Sequence, residues 1–203
     1  MKCAALLLVL CVGCATSVQQ EQDYLLRPPL LPAPAAIAAA APTISVAAPA
    51  VADHIAGLTL VRRDGRVDHL YWSRFATPVG DMVADWVVEL LNASGQVRFA
   101  LPPGVQGQTD LTLRLRVTRF ELEEVAAEEG GLRSAVLLEA SLLRGGGREV
   151  LWTLRTQGGA VATGSAPAQL VAALGDALRQ ASENLVAHLQ SALQNIPAPS
   201  AVH

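Results

Sequence analysis

The sequence predicts an α/β fold: a single mixed, largely antiparallel β-sheet with two main helices packed on it. The first observation is a pair of apolar-alternating segments joined by Asp-Gly, the two residues that a type I′ hairpin loop favours. The second is the segment Leu111–Val117, where apolar and polar residues alternate with the period of a strand. The third is a pair of segments, 79–91 and 167–194, whose apolar residues recur with the period of a helix. Together they predict six or seven strands covered by two helices.

The chain of 203 residues suits one domain with non-globular ends. We expect a signal peptide at residues 1–13, a lipidated N-terminus and Ala/Pro-rich tether at 14–42, the folded domain at 43–195 and a flexible tail at 196–203. Five prolines favour an extended tether over a helix. Within it, Tyr24-Leu25-Leu26 is an apolar island that can dock on the body, and the polar residues before it are expected to be flexible.

The first fifteen residues are similar to the leader of a bacterial lipoprotein. A positive start, Met1-Lys2, precedes ten apolar residues, Cys3–Val12, which are too few to span a bilayer that needs about 20. The run ends in Cys14, as in a lipobox, with Cys11 where that motif usually has leucine. We therefore predict cleavage before Cys14 and its acylation, for example with palmitate, because two or three acyl chains make a lasting anchor. The alternative is an ordinary secretory signal that contains a stray cysteine.

The folded body is predicted to begin with a strand and a hairpin. Ile44 and Val46 alternate with polar neighbours in a short strand, and a loop follows over residues 47–57. The hairpin joins Leu58–Arg63 to Arg66–Trp72. One of its faces is predicted to carry Leu58, Leu60, Arg62, Val67, His69 and Tyr71.

The first helix is predicted to follow this hairpin, with Thr77 as its N-cap and Pro78 at its first helical position. Three carboxylates, on Asp81, Asp85 and Glu89, recur along the side predicted to face solvent. The side predicted to face the sheet carries Val79, Met82, Val83, Trp86, Val87, Leu90 and Leu91.

Two more strands are predicted after this helix. The first is Val97–Ala100, and the second begins at Leu111. The alternation of the second strand changes phase before Phe120, which predicts a β-bulge near Thr118-Arg119 because one extra residue moves every later side chain to the other face.

A second hairpin and a long helix complete the predicted domain. The hairpin joins Ser134–Leu143 to Glu149–Thr156, and Gly158-Gly159 is expected to end its second strand. The helix starts near Pro167 and ends near Gln194. Its buried stripe is predicted to contain Leu170, Leu174, Leu178, Ala181, Leu185, Leu189 and Ala192.

Charge and side-chain chemistry argue against several classes of function. A net charge of −3 without a basic block argues against a nucleic-acid partner. All three cysteines precede the folded body, so the body has no thiolate nucleophile and no cysteine metal ligand. No histidine has a serine or carboxylate at a spacing typical of catalysis. The histidines are His54, His69, His188 and His203. We therefore predict that the protein is not an enzyme and holds no cofactor.

Two groups of carboxylates have simple structural explanations. Asp81 and Asp85 lie one helical turn apart and would suit an acid–base pair, but a solvated helix face accounts for them. An acidic cluster at the end of the longest predicted strand would suit a metal ion, but a solvated turn accounts for it. This cluster comprises Glu121, Glu123, Glu124, Glu128 and Glu129. We predict no catalytic residue and no metal ligand, and Cys14 is the one predicted site.

Several short motifs connect the chain with a known family. They are the lipobox at Cys14, Asp23-Tyr24-Leu25-Leu26, Leu58–Arg63, Tyr71–Pro78 with Asp81, and Asp110–Val117 followed by Phe120-Glu121. In these motifs the chain resembles the ABC-type transport auxiliary lipoprotein family, the PqiC-like proteins. Family members typically carry Trp-Ala-Glu-Pro where this chain has Phe-Ala-Thr-Pro at residues 75–78.

The resemblance implies a lipoprotein that is anchored in the outer membrane and faces the periplasm. Ala15 agrees with this location, because an Asp after the acylated cysteine would retain such a lipoprotein at the inner membrane. The implied partners are an inner-membrane ABC transporter and its MCE-domain protein, with which the chain would serve lipid transport between the membranes. Its part would be docking and assembly, without catalysis, and the resemblance allows a homo-oligomer.

Two other functions stay open at this point. One is a structural or envelope-assembly lipoprotein that has no connection with an ABC transporter. The other is an anchored hydrolase, which would depend on one essential Ser, His or Asp.

Overall fold

The computed structural model describes residues 22–196 except for residues 35, 39, 56–57, 64–65, 126–130 and 145–146. Within these residues, two helices pack on one face of a mixed sheet, which confirms the predicted fold class. The helices are α1 (Val79–Ser94) and α2 (Pro167–Asn195). The strands are β1 (Gln22–Tyr24), β2 (Thr43–Val46), β3 (Ala50–Val51), β4 (Leu58–Arg63), β5 (Arg66–Phe75), β6 (Phe99–Leu101), β7 (Leu111–Glu124), β8 (Leu132–Arg144) and β9 (Glu149–Val161).

The longest strand, β7, is the centre of the sheet. Along one edge it pairs in parallel with β2, β3 and β4 in succession. Along its other edge it pairs antiparallel with β8 over its whole length, and β8 pairs antiparallel with β9. Strand β6 lies beyond β2, whereas β5 and then β1 lie beyond β4. One strand therefore holds the N-terminal and C-terminal halves of the body together.

The predicted bulge in β7 is confirmed. The pairing of β7 with β8 shifts register between Val117 and Arg119. Because of this extra residue, Val117 and Phe120 both lie buried under the helices, and Arg119 and Glu121 face the other side of the sheet. The ring of Phe120 packs edge-on against Phe75 at the end of β5, with centroids 5.5 Å apart.

The first hairpin is confirmed, with one change of register. Arg63 pairs with Arg66, which leaves a two-residue connection at residues 64–65, outside the described residues. Leu60 pairs with His69, as predicted for residues on one face. The register then shifts, so that Leu58 lies opposite Arg74 instead of near Tyr71 as predicted. The loop predicted at residues 47–57 also contains β3, which sequence periodicity cannot reveal in two residues.

The two helices bury the predicted faces. In α1 the predicted apolar residues are buried apart from half-buried Leu90, and Asp81, Asp85 and Glu89 are exposed. The predicted cap is wrong: Pro78 is the N-cap, and the helix begins at Val79 without a side-chain cap. In α2 the predicted stripe is buried as far as Leu189, and Ala192 is half-buried.

The end predicted for the second strand of the C-terminal hairpin is wrong, because β9 continues through Gly158-Gly159 to Val161. A Cβ atom on Gly158 would lie 2.0 Å from the carbonyl oxygen of Ala177 and 2.7 Å from the amide nitrogen of Ala181. Glycine is therefore needed at this position so that α2 can lie directly on the sheet, and it does not end the strand. The short strand predicted at Val97–Ala100 is displaced to Phe99–Leu101.

Candidate functional site

The described residues from Gln22 to Pro42, all except 35 and 39, lie against the folded body although no helix or strand was expected there. We call them the strap. Its first residues form β1, which pairs in parallel with the end of β5. The Asp23 carboxylate accepts a hydrogen bond from the Arg74 guanidinium at 2.6 Å. The Ala76 amide donates to the Tyr24 carbonyl oxygen at 2.8 Å. The expectation of flexibility is therefore wrong for Gln22 and Asp23, and the sheet starts 21 residues before the predicted domain boundary at Thr43.

The middle of the strap crosses the two helices. Leu26 is half-buried, and one of its methyl groups lies 3.2 Å from the place that a Cβ atom on Gly175 of α2 would occupy. A groove of about 450 Å³ lies beside it, lined by Trp86 of α1 and Arg179 of α2 among others. A second groove, of about 500 Å³, lies between the strap and the outer face of α1. The predicted docking of the apolar island at residues 24–26 is confirmed.

The end of the strap packs on the C-terminal end of α1. Gly95 caps this helix with φ at 70°, and its carbonyl oxygen accepts a hydrogen bond from the Ala38 amide at 3.2 Å. A Cβ atom on Gly95 would lie 2.5 Å from the Ala36 carbonyl oxygen. Ala41 is buried just before β2. The strap is therefore attached to the body at its start, in its middle and at its end.

A charged network occupies the face of the sheet opposite the helices. The Arg119 guanidinium donates to the buried carboxylate of Glu121 at 2.8 Å and also to Glu123. Burial lowers the pKa of Arg119, but the hydrogen bonds and negative charges of these two carboxylates outweigh that effect and raise the pKa above its ordinary value. Two of the five glutamates of the predicted acidic cluster thus belong to an ion-pair network. Glu124 is exposed, and Glu128-Glu129 lie outside the described residues.

The remaining candidate residues do not converge. His54 and His188 are exposed on separate elements, and Asp81 and Asp85 are exposed on α1. The side chain of His69 and all of Cys14 and His203 lie outside the described residues. Where the structure describes the chain, it groups no three His, Cys, Asp or Glu residues in a way that would hold a metal ion. The strap and the helix surface beneath it are the candidate site, because both grooves along the strap lie there.

Sequence reasoning missed two features of this arrangement. Leu26 identified the docking point, but nothing in the Ala/Pro composition indicated that residues 27–42 would follow the surface of α1. The burial of Glu121 was also missed, because the alternation of β7 placed it on a solvent-facing side. The available clue was the spacing of Arg119, Glu121 and Glu123, because alternate residues of a strand lie on one face.

In the part of the chain that the structure describes, no helix combines the length and the apolar character that a membrane span requires. The longest of the described helices, α2, has 29 residues, with one face buried and the opposite face exposed.

Comparisons with known proteins identify relatives of most of the folded body. A family model described as "ABC-type transport auxiliary lipoprotein component" matches residues 24–186. No curated protein matches the chain.

Among solved structures, protein XCC0632 from Xanthomonas campestris is 23% identical, with a TM-score of 0.74 over 86% of this chain and 97% of its own. A crystal structure of an uncharacterized protein is 17% identical, with a TM-score of 0.62 over 83% of this chain and 99% of its own. Hypothetical protein CT253 from Chlamydia trachomatis is 5% identical, with a TM-score of 0.53 over 77% of this chain and 99% of its own. These similarities establish a shared fold.

Proposed function

The chain belongs to the ABC-type transport auxiliary lipoprotein family, and from this premise we propose that it is an outer-membrane-anchored lipoprotein that faces the periplasm. In this proposal it serves an ABC transporter of the inner membrane and an MCE-domain protein in moving lipid between the membranes. It acts by docking and assembly, without catalysis.

The observation that carries the proposal is the family match over residues 24–186, which includes the strap from Tyr24 onward as well as the sheet and most of α2. The lipobox-like residues before Cys14 support acylation at that position. We propose that residues 1–13 are removed and that Cys14 becomes the acylated N-terminus. Ala15, in place of an Asp, supports the outer membrane as the destination.

A docking role is supported by what the folded body presents. The described histidines and the carboxylates of α1 are dispersed and exposed, whereas an enzyme needs a converging set of groups. The structured features outside the core are a strap on the helices and a charged sheet face, both of which are surfaces suited to contact with a partner.

The anchor is tested by a pair of cysteine variants. Cys14→Ser is expected to abolish labelling by radioactive palmitate and to move the protein from the outer-membrane fraction to the soluble periplasmic fraction. Cys3→Ser is the matched control, because it also removes a thiol from the leader but lies outside the lipobox and leaves the acylated residue in place. Equal labelling of the two variants would contradict acylation at Cys14.

The partner is tested by crosslinking in intact cells followed by purification of the protein. We expect an MCE-domain protein among the crosslinked products at a yield that falls when the ABC transporter is deleted. Recovery of envelope-assembly proteins instead, with no MCE-domain protein, would favour the structural alternative.

A further inference from the structure

We propose that exposed leucines of the strap form a membrane-contacting surface, which lies at the boundary between the lipid headgroups and acyl chains of the bilayer that holds the anchor. This inference rests on the proposed acylation of Cys14. Its partner is the lipid bilayer itself, and its core is Leu25, Leu30 and Leu31.

The first argument is the length of chain between the anchor and the fold. Because β1 begins at Gln22, only the seven residues 15–21 separate it from Cys14. Fully extended, the eight steps from Cys14 to Gln22 span at most about 29 Å. The 14-residue strand β7 is about 46 Å long at about 3.3 Å per residue. The leash is thus shorter than the body, so the start of the strap at Gln22 must lie within about 29 Å of the acylated residue, and the body stays beside the bilayer.

The second argument is the exposure of apolar side chains on the strap. Leu30 is 104% exposed, Leu25 is 43% exposed and Leu31 is 36% exposed. Leu26, between them, faces the body instead and packs beside Gly175. The strap therefore fixes one leucine against the helices and presents three to the surroundings. Outside the strap, the other large exposed apolar residues of the described chain lie on β5, on β6 and the loop after it, and at the two ends of β9.

The third argument is the charge of this segment. From Tyr24 to Ala52 the only charged residue is Arg27, which is exposed. A long aliphatic side chain with a terminal cation suits the headgroup region, where its stem contacts apolar groups and its guanidinium meets phosphate. The side chains of this segment therefore lose little hydration when they enter the headgroup boundary, where the backbone groups can still meet water.

The prolines of the strap explain how its part after β1, which has no helix or strand, can present these leucines. Pro28 and Pro29 fix their own φ angles, and Pro29 disfavours helical geometry at the residue before it. Less conformational freedom is then lost when Leu30 enters the bilayer, so more of its transfer free energy stabilises the contact.

The experiment uses the full acylated protein in phosphatidylethanolamine–phosphatidylglycerol vesicles, with an NBD fluorophore on Leu30→Cys. Cys3 and Cys11 precede the proposed cleavage site and Cys14 carries the acyl chains, so the introduced thiol is the only free one. The matched control is Val150→Cys, because Val150 is equally apolar and 58% exposed but lies on the edge strand β9 beside the C-terminal half of α2. Quenching is measured with nitroxide-labelled lipid and with aqueous iodide.

We expect the fluorophore at residue 30 to be quenched by the nitroxide lipid and protected from iodide, and the fluorophore at residue 150 to show the opposite. Iodide quenching at both positions, with acylation of Cys14 verified by mass, would overturn the membrane surface and leave the anchor intact. Shielding of residue 30 that disappears when the protein is diluted to one copy per vesicle would indicate a protein contact and overturn it as well. A protein without acyl chains would overturn both proposals.

A second measurement follows the rate at which the acylated protein transfers between vesicles. The double variant Leu30→Ser with Leu31→Ser is expected to transfer about tenfold faster or more, because two apolar side chains no longer hold it in the bilayer. Val150→Ser is expected to transfer at the rate of the unaltered protein. Equal rates for all three proteins would contradict the inference.

Discussion

The strap and the C-terminal unit of β7, β8, β9 and α2 attach to the same core in different ways. The C-terminal unit is held by two long antiparallel ladders and by a helix whose buried stripe runs from Leu170 to Leu189. The strap is held by a three-residue parallel pairing, one half-buried leucine and a few hydrogen bonds. A segment that depends on so few contacts opens at a lower free energy than the core it covers. We therefore expect substitutions in the C-terminal unit to change the free energy of global unfolding, and substitutions in the strap to change only its local opening.

The largest effect is expected from Gly158→Val in the C-terminal unit. The new side chain cannot fit, because even its Cβ would lie 2.0 Å from the backbone of α2. We expect the free energy of unfolding in urea to fall by about 3 kcal/mol. Gln157→Ala, an exposed neighbour in the same strand, should change it by less than about 0.5 kcal/mol. A stable Gly158→Val protein would mean that α2 does not lie directly on β9.

A smaller effect is expected from Arg119→Ala, which tests whether the sheet face opposite the helices adds to the stability of this unit. The change removes the hydrogen bonds that Arg119 donates to Glu121, whose side chain is 1% exposed. Breaking such a pair leaves a buried carboxylate poorly compensated, and the partial exposure of Arg119 reduces the loss to about 2 kcal/mol. Arg155→Ala, which removes an exposed cation of β9, is the control. Equal losses of unfolding free energy in both variants would mean that the removal of one positive charge, and not the contact with Glu121, causes the effect.

Leu26→Ala tests the strap, and its effect should be local. Without vesicles, we expect hydrogen exchange at the Ala76 amide to accelerate about fivefold, because this amide donates to Tyr24 in β1 and a loss of about 1 kcal/mol loosens the pairing. Exchange at core amides of β7 should be unchanged. Leu25→Ala, at an exposed neighbour, should leave both unchanged. Acceleration throughout β7 would show that the strap and the core unfold as one unit.

The smallest effect is expected from Asp23→Asn. Asp23 and Arg74 are each 51% exposed, so their ion pair contributes at most about 0.5 kcal/mol. Raising the salt concentration to about 1 M screens such a pair, and it should bring exchange at the Ala76 amide of the unaltered protein to the rate of the variant. If salt still accelerates exchange at the Ala76 amide in Asp23→Asn, the salt dependence arises from a charge other than Asp23.

The elements that the sequence predicted well are those that bury one side against the core. The α2 stripe, the apolar side of α1 and the alternation of β7 were all correct, because burial of one side imposes a period on the residues that form it. Even the bulge near Thr118-Arg119 was predictable, since an inserted residue reverses the alternation.

The errors share a different physical cause. Gly158-Gly159 was expected to end a strand. Glycine is required at residue 158 for another reason, because α2, which is distant in sequence, packs directly against it. Strand β3 is two residues long and β1 three, so neither shows a period. Thr77 has the side chain of a good N-cap, yet the helix begins one residue later than such a cap requires.

By itself, the sequence predicted the fold class and the buried faces of the main elements, because burial of one side imposes a period on the residues that form it. Its short motifs resembled the family that the match over residues 24–186 then showed, and acylation of Cys14 stays a prediction. Only the tertiary structure decided the course of residues 22–42, since Ala, Pro and Leu without a period follow whatever surface accepts them, and here that surface is the outer side of α1 and α2. Because the fold begins with β1 at Gln22 and not at the predicted Thr43, the stretch between Cys14 and the fold has seven residues instead of 28. In the proposed acylated protein, this shorter stretch limits how far the body can lie from the membrane.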